Sequence, residues 1–262
     1  MIGAVIGDIV GSVFEFDNQR SVDFPLFSSS STFTDDSVLT FATAAVLLDK
    51  GDYAAAYQDF ARRYPGRGYG GNFYRWIYTD DPKPYNSFGN GSAMRVSPVG
   101  FAFDSLEETL AEARRSAEVT HNHPEGIKGA QATAQVIFMS RKGASKAKIK
   151  QEITQRYGYD LSRPLDLIRQ VNQFDATCPG SLPEAISVFL EGEDYEHTIR
   201  LAVSIGGDTD TIACIAGGMA QAFYGSIPAG IVRDARARIS AEFVDILDRF
   251  QTQFPAASPL LT

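Results

Sequence analysis

Cysteine is scarce: only Cys178 and Cys214 occur in 262 residues. Two thiols exclude a disulfide framework and fit a reduced, cytoplasmic setting. Histidine is nearly as rare, with three residues. Zinc prefers several nitrogen or sulfur ligands, so the His121-x-His123 pair reads as a source of hydrogen bonds to a phosphate or hydroxyl, not as a metal site. Positive charge is also short: 24 Lys and Arg face 32 Asp and Glu, a net charge of -8. That balance argues against general attraction to nucleic acid or an anionic membrane. It leaves room for a small anionic substrate, because a bound metal can supply local positive charge. No apolar run is long enough to span a bilayer, and the N-terminus lacks a basic segment followed by an apolar one. Alternating Val, Ile and Thr runs bounded by turns are nearly absent, so few strands are expected.

What the chain does contain is helical periodicity. Apolar spacing predicts helices over Ile2–Phe16, Ser37–Asp49, Tyr53–Arg63, Leu106–Val119, Glu125–Ser140, Lys142–Tyr157 and Leu161–Asn172. It predicts further helices over Leu182–Leu190, Tyr195–Ser204, Thr211–Tyr224 and Arg233–Phe250, with Thr177–Ser181 as a break. In the first helix Gly3, Gly7 and Gly11 fall four apart, on one face, where a second helix can approach closely. Asp8 and Glu15 are seven apart and project from one side of it. Asn18–Thr32 reads as a loop with freedom to move. Thr79–Pro98 is too long for a simple connector and reads as a functional loop. With no fixed-period repeat and no linker, the expectation is one all-α domain over residues 1–262, a compact multi-helix bundle. A monomer is the default oligomeric state.

Two acidic stretches stand out against this background. Gly206-Gly207-Asp208-Thr209-Asp210-Thr211 precedes the small, apolar Ile212–Ala220. Thr34-Asp35-Asp36-Ser37 likewise opens an apolar helix. Helix capping accounts for one carboxylate at each place. Two adjacent carboxylates repel each other and point to a hard cation, Mg²⁺ or Mn²⁺. Four carboxylates suffice for two cations at the usual spacing of about 3.5–4 Å. An EF-hand calcium loop is disfavoured, since its twelfth position counted from Asp208 is Met219 where a bidentate Glu is needed. The D-x-D of haloacid-dehalogenase-type phosphatases is disfavoured too. There an apolar strand delivers the first Asp directly, whereas here two glycines intervene between flanks that read as helix. The turns Gly66–Asn72 and Gly89–Gly91 could offer N–H groups to a pyrophosphate but match neither a P-loop nor a dinucleotide fingerprint. Arg95 and the lone Trp76 read as packing.

Taken in order, Gly7-Asp8, Gly11-Ser12, Glu15, Thr34-Asp35-Asp36, Gly89-Asn90-Gly91-Ser92-Ala93-Met94-Arg95, Thr120-His121 and Gly206–Thr211 resemble the ADP-ribosylglycohydrolase family across most of the chain. The resemblance implies an all-helical fold of the orthogonal-bundle type with two Mg²⁺ (or Mn²⁺) ions in a cleft. It implies Thr34, Asp35, Asp36, Asp208, Asp210 and Thr211 as ligands, and Glu15 as the acidic residue of catalysis on a movable flap. It further implies substrate contacts from Gly70 and Gly71 to the diphosphate and its ribose, from Phe88 stacked on adenine, and from Ser87, Gly89, Asn90, Gly91 and His121. The implied reaction is hydrolysis of the α-linkage between ADP-ribose and an acceptor, releasing ADP-ribose; a nucleic-acid base is not excluded as that acceptor. The alternative within the same family is a non-catalytic ADP-ribose reader or a crystallin-like structural protein.

Overall fold

The computed structural model describes residues 1–262 as an almost wholly helical molecule. In chain order the helices are α1 (Ile2–Gly11), α2 (Asp35–Asp49), α3 (Tyr53–Arg63), α4 (Gly71–Ile77), α5 (Gly91–Met94), α6 (Ser97–Ala102), α7 (Leu106–Glu118) and α8 (Pro124–Arg141). They continue as α9 (Lys146–Tyr157), α10 (Leu165–Val171), α11 (Cys178–Glu191), α12 (Tyr195–Ser204), α13 (Thr209–Tyr224), α14 (Ala229–Arg236) and α15 (Ala241–Gln253). Two two-residue strands, Ser226–Ile227 and Leu260–Leu261, pair in parallel and tie down the C-terminus.

α1 and α13 form the axis. Every residue of α1 is buried, and so is α13 as far as Ala222. Their backbones touch where side chains would normally intervene. A Cβ at Gly3 would lie 2.5 Å from the Gly217 carbonyl oxygen, one at Gly7 2.0 Å from that of Ala213, and one at Gly11 2.5 Å from the Asp210 Cα. Rising numbers on α1 meet falling numbers on α13, so the pair is antiparallel. The Gly3 N–H, which has no partner within the first turn of its own helix, donates to Gln221 Oε1 at 2.7 Å. The Tyr195 hydroxyl donates to the Gly3 carbonyl at 2.7 Å. The consequence for the site is positional: the C-terminal end of α1 arrives beside the N-terminal end of α13.

α2 packs beside this pair and is covered by α15, where the Phe41 and Phe243 rings stack with centroids 4.3 Å apart. One apolar cluster runs from Met1 to Ala257 and draws on most of the helices.

The fold is all-α as expected, and the departures are local. α1 ends at Gly11, so Glu15 stands in the following turn and does not share a helix face with Asp8. Thr177–Cys178–Pro179 is a helix start, not a break: Thr177 caps the Gly180 N–H at 3.1 Å and Pro179 occupies the first turn. The expected helix over Arg233–Phe250 is two helices, because Ser240 caps the Phe243 N–H at 3.2 Å and starts α15 afresh. The segment Thr79–Pro98 contains α5 and the start of α6. Asn18–Thr32 is a loop, but its first residues are held. Asn18 pairs with both backbone groups of Gly207 at 2.9 and 3.1 Å, and Arg20 donates to the carbonyls of Ile205, Arg169 and Asn172.

Candidate functional site

The antiparallel packing brings three chain segments to one place. The turn after α1 supplies Glu15, the N-terminus of α2 supplies Asp35 and Asp36, and the N-terminus of α13 supplies Asp208, Asp210 and Thr211. All six line one cavity of about 400 Å³. The Gly206-Gly207 pair makes this possible: both residues have positive φ, 68° and 80°, a turn that side chains with a Cβ rarely adopt. The dipoles of α2 and α13 both present their positive ends to the carboxylates.

The carboxylates at and behind the cavity wall fall into two triads. Oxygens of Asp8, Asp36 and Asp210 lie within 4.8 Å of one another, as do oxygens of Glu15, Asp208 and Asp210. Asp210 is common to both. Asp35 lines the same cavity but belongs to neither triad. Asp8 is the residue that sequence reasoning left without a role. It is wholly buried in α1 and reaches across to cap α2. It accepts from the Thr34 N–H at 3.0 Å, the Thr34 hydroxyl at 2.6 Å, the Ser37 N–H at 3.1 Å and the Ser37 hydroxyl. Its signal in the sequence was a lone carboxylate inside the apolar run Ile2–Val10.

The remaining bonds hold the other acids. Asn90 Nδ2 donates to Asp208 at 2.7 Å and to Ser181 at 2.8 Å. The Thr211 N–H donates to Asp210 at 2.9 Å, and the Thr211 hydroxyl lies 3.4 Å from Asp36 Oδ2. Asp36 Oδ1 is buried and has no hydrogen-bond partner.

Burial, followed by mutual repulsion, pushes the Asp36 and Asp210 carboxyls well above the usual carboxylate range. Burial raises Asp8 and Asp208 as well, against hydrogen bonds that lower them. Glu15, half-buried, is raised to about 7 by burial and by the charges of Asp210 and Asp8. The molecule's ion pairs lie elsewhere, as in Arg163–Glu184, Arg236–Asp248 and Arg249–Asp49, and none joins these acids. Buried like charges with an orphaned oxygen and no Arg or Lys partner constitute a donor set for a hard divalent cation. No histidine or cysteine joins either triad. A donor set of oxygens alone disfavours zinc.

The other expected contact residues are placed as follows. Gly70, Gly71, Ser87, Gly89, Asn90, Gly91 and His121 line the cavity. Phe88 does not; it is exposed at the rim, its ring tilted against His123 with centroids 5.2 Å apart. Thr34 lies behind the wall, between Asp8 and Asp36. His123 caps α8, its Nδ1 accepting from the Glu125 N–H at 3.1 Å. Arg95, read from the sequence as packing, lines the cavity. So does Phe174, whose exposed ring stacks on Phe16 at 6.1 Å. No periodicity marks Phe174, which stands alone in a loop.

An all-helical protein with a buried carboxylate cluster at the meeting point of helix ends, opening into one cleft, is the class that fold and site define. The chain belongs to the ADP-ribosylglycohydrolase family, whose model matches residues 1–256. Among curated proteins it is 26% identical to the ADP-ribosylhydrolase ARH3 of Mus musculus, over 86% of this chain and 82% of that protein. It is also 26% identical to the ADP-ribosylarginine hydrolase Tri1 of Pseudomonas putida, over 86% of this chain and 69% of that one. A solved structure described as an ADP-ribosylglycohydrolase-related protein complex superposes with a TM-score of 0.74 at 25% identity, covering 98% of this chain and 96% of that chain.

Proposed function

We propose that this chain, acting as one domain, is a metal-dependent hydrolase that cleaves the α-glycosidic bond between ADP-ribose and an acceptor. The observation that carries the proposal is the convergence of Glu15 with the two carboxylate triads in one cavity. Asp35, Asp36, Asp208, Asp210 and Thr211, which line the cavity, with Asp8 and Thr34 behind them, are the residues that would hold two divalent cations, Mg²⁺ or Mn²⁺. When bound, such cations neutralise the buried carboxylates and supply Lewis-acid stabilisation and substrate orientation.

The chain's own groups account for the rest. Glu15 stands beside the acidic cluster, half-buried; in the metal-free protein burial and the charges of Asp210 and Asp8 raise its carboxyl to about 7, and a carboxyl at this position is the chain's candidate to give and take the proton. In the hydrolysis, a water oxygen bonds to the anomeric carbon, the bond from that carbon to the acceptor breaks, and the acceptor leaves with a proton. Glu15 would manage that proton or orient the scissile bond. Asn90 spends its amide N–H groups on Asp208 and Ser181 and so fixes the acid it touches. Gly70, Gly71, Ser87 and His121 line the part of the cavity that would take the diphosphate and its ribose. Phe88 at the rim is available to the adenine.

The acceptor is arginine, serine, a nucleic-acid base or a small metabolite. Release of ADP-ribose from arginine-, serine- and guanine-linked substrates, with Mg²⁺ or with EDTA, tests the reading and selects among these. The expected result is release from at least one substrate, abolished by EDTA. Asp210→Ala, which removes the carboxylate shared by both triads, is expected to lower turnover at least about 100-fold. Undiminished turnover in that variant would refute the ligand role. ADP-ribose binding without release from any substrate would favour a reader.

A further inference from the structure

Arg95 is fully buried, its guanidinium stacked over the Tyr57 ring at 4.1 Å from the centroid. Nε and Nη1 find no acceptor, and the directed bonding of the group is confined to Nη2. Nη2 donates to the Ser116 carbonyl at 2.8 Å and to the Thr120 hydroxyl oxygen at 2.9 Å. Thr120 Oγ1 in turn lies 2.7 Å from His121 Nδ1. Thr120 is fully buried and His121 nearly so, and that hydroxyl has no other partner.

Counting protons decides the direction of this chain of bonds. A guanidinium only donates, and a threonine hydroxyl carries one proton. If His121 held its proton on Nδ1, the Thr120 oxygen would receive two donors, and its own proton would be buried without an acceptor. A buried proton without an acceptor is strongly disfavoured. The arrangement in which every proton is used runs from Arg95 to Thr120 to His121 and leaves the imidazole proton on Nε2. The Nε2 edge meets glycine: a Cβ at Gly91 would sit 3.1 Å from Nε2, and one at Gly89 3.5 Å from it. His121, Gly89 and Gly91 all line the cavity.

We propose that Arg95 is a positioning residue that, through the Thr120 hydroxyl, fixes His121 as the Nε2–H tautomer and presents that N–H to an oxygen of the bound substrate. The identity of that substrate rests on the ADP-ribose reading above; the tautomer does not. Toward the substrate His121 is then a donor only, its Nδ1 being taken by Thr120, and never the base of the reaction. Burial, and secondarily the charge of Arg95, keep its second nitrogen unprotonated.

Long-range ¹H–¹⁵N spectra of the labelled full chain test this, with the His121 signals assigned against His123→Gln and His197→Gln. The wild type is expected to show the Nε2–H pattern. Thr120→Val and Arg95→Met are each expected to lose it for a mixed or Nδ1–H pattern, and Thr120→Ser to restore it. Thr120→Val is also expected to weaken ADP-ribose binding about tenfold by calorimetry, the effect of one well-placed hydrogen bond. If Arg95→Met does not fold, Arg95→Lys replaces it, since it keeps the charge but not the planar donor. An Nδ1–H pattern in the wild type, or an unchanged tautomer in Thr120→Val and the Arg95 variant, would overturn the proposal. If the tautomer follows prediction but ADP-ribose does not bind the wild type, the relay stands and the substrate reading fails.

Discussion

Asp8 illustrates what a single residue contributes here. A carboxylate in the middle of an apolar helix is costly unless its oxygens are occupied. Four donors from Thr34 and Ser37 occupy them, and the same carboxylate stands within 4.8 Å of acid oxygens of Asp36 and Asp210. It therefore joins α1 to α2 and adds to the acidic cluster at once. Asp8→Asn keeps the shape but loses the charge and one acceptor. We expect it to lower activity about 10–100-fold and to reduce the thermal shift produced by Mg²⁺. Full activity with an unchanged Mg²⁺ shift would assign Asp8 to helix capping alone. Asp208 and Asp210 were legible in the sequence because glycine pair, acids and apolar helix adjoin one another. Asp8 carried a motif resemblance but no role, since its partners lie 26 and 29 positions away.

Among the elements, α1 and α13 set the register of the site. The glycine spacing of α1 was readable as a close-packing face, but the identity of its partner was not. A methyl group on Gly7 would collide with the Ala213 carbonyl, which belongs to helix backbone and cannot give. Gly7→Ala should therefore cost at least about 1–3 kcal/mol by overpacking. A separation of the two helices would also displace Glu15 relative to Asp210, so activity should fall further than stability. Gly230→Ala in α14 serves as the comparison, because a Cβ there meets only the end of the Arg233 side chain, at 3.7 Å. Equal melting temperatures for Gly7→Ala and the wild type would mean that the helices are not in backbone contact. The boundaries missed in the sequence have one cause. Ser240 and Thr177 act as caps, and a hydroxyl beside apolar periodicity looks the same whether it caps a new helix or rides on an old one.

For the molecule as a whole, the acidic cluster makes stability depend on pH and on cations. In the metal-free protein the Glu15, Asp36 and Asp210 carboxyls are raised relative to the unfolded chain. The folded state thus binds more protons than the unfolded one between the ordinary carboxylate range and about 7, the Glu15 value. Stability is fully present below that window and is lost as pH rises through it. Melting in EDTA should accordingly fall between about pH 5 and about pH 8. Saturating Mg²⁺ favours the ionised carboxylates and should reverse the slope. At about 100 times its dissociation constant it should stabilise the protein by about 2.7 kcal/mol, or several degrees. Parallel pH profiles with and without Mg²⁺ would count against a cation at this cluster.

The chain by itself determined the helical class, through apolar spacing, and the chemistry of the two acidic stretches, through residues adjacent in sequence. Such features are local and survive being read one window at a time. Only the tertiary structure decided that those stretches meet, that Asp8 joins the acidic cluster from behind, and that Arg95 lines the cavity while Phe88 does not. These depend on an antiparallel helix contact between residues about 200 positions apart, and no short window of sequence records it.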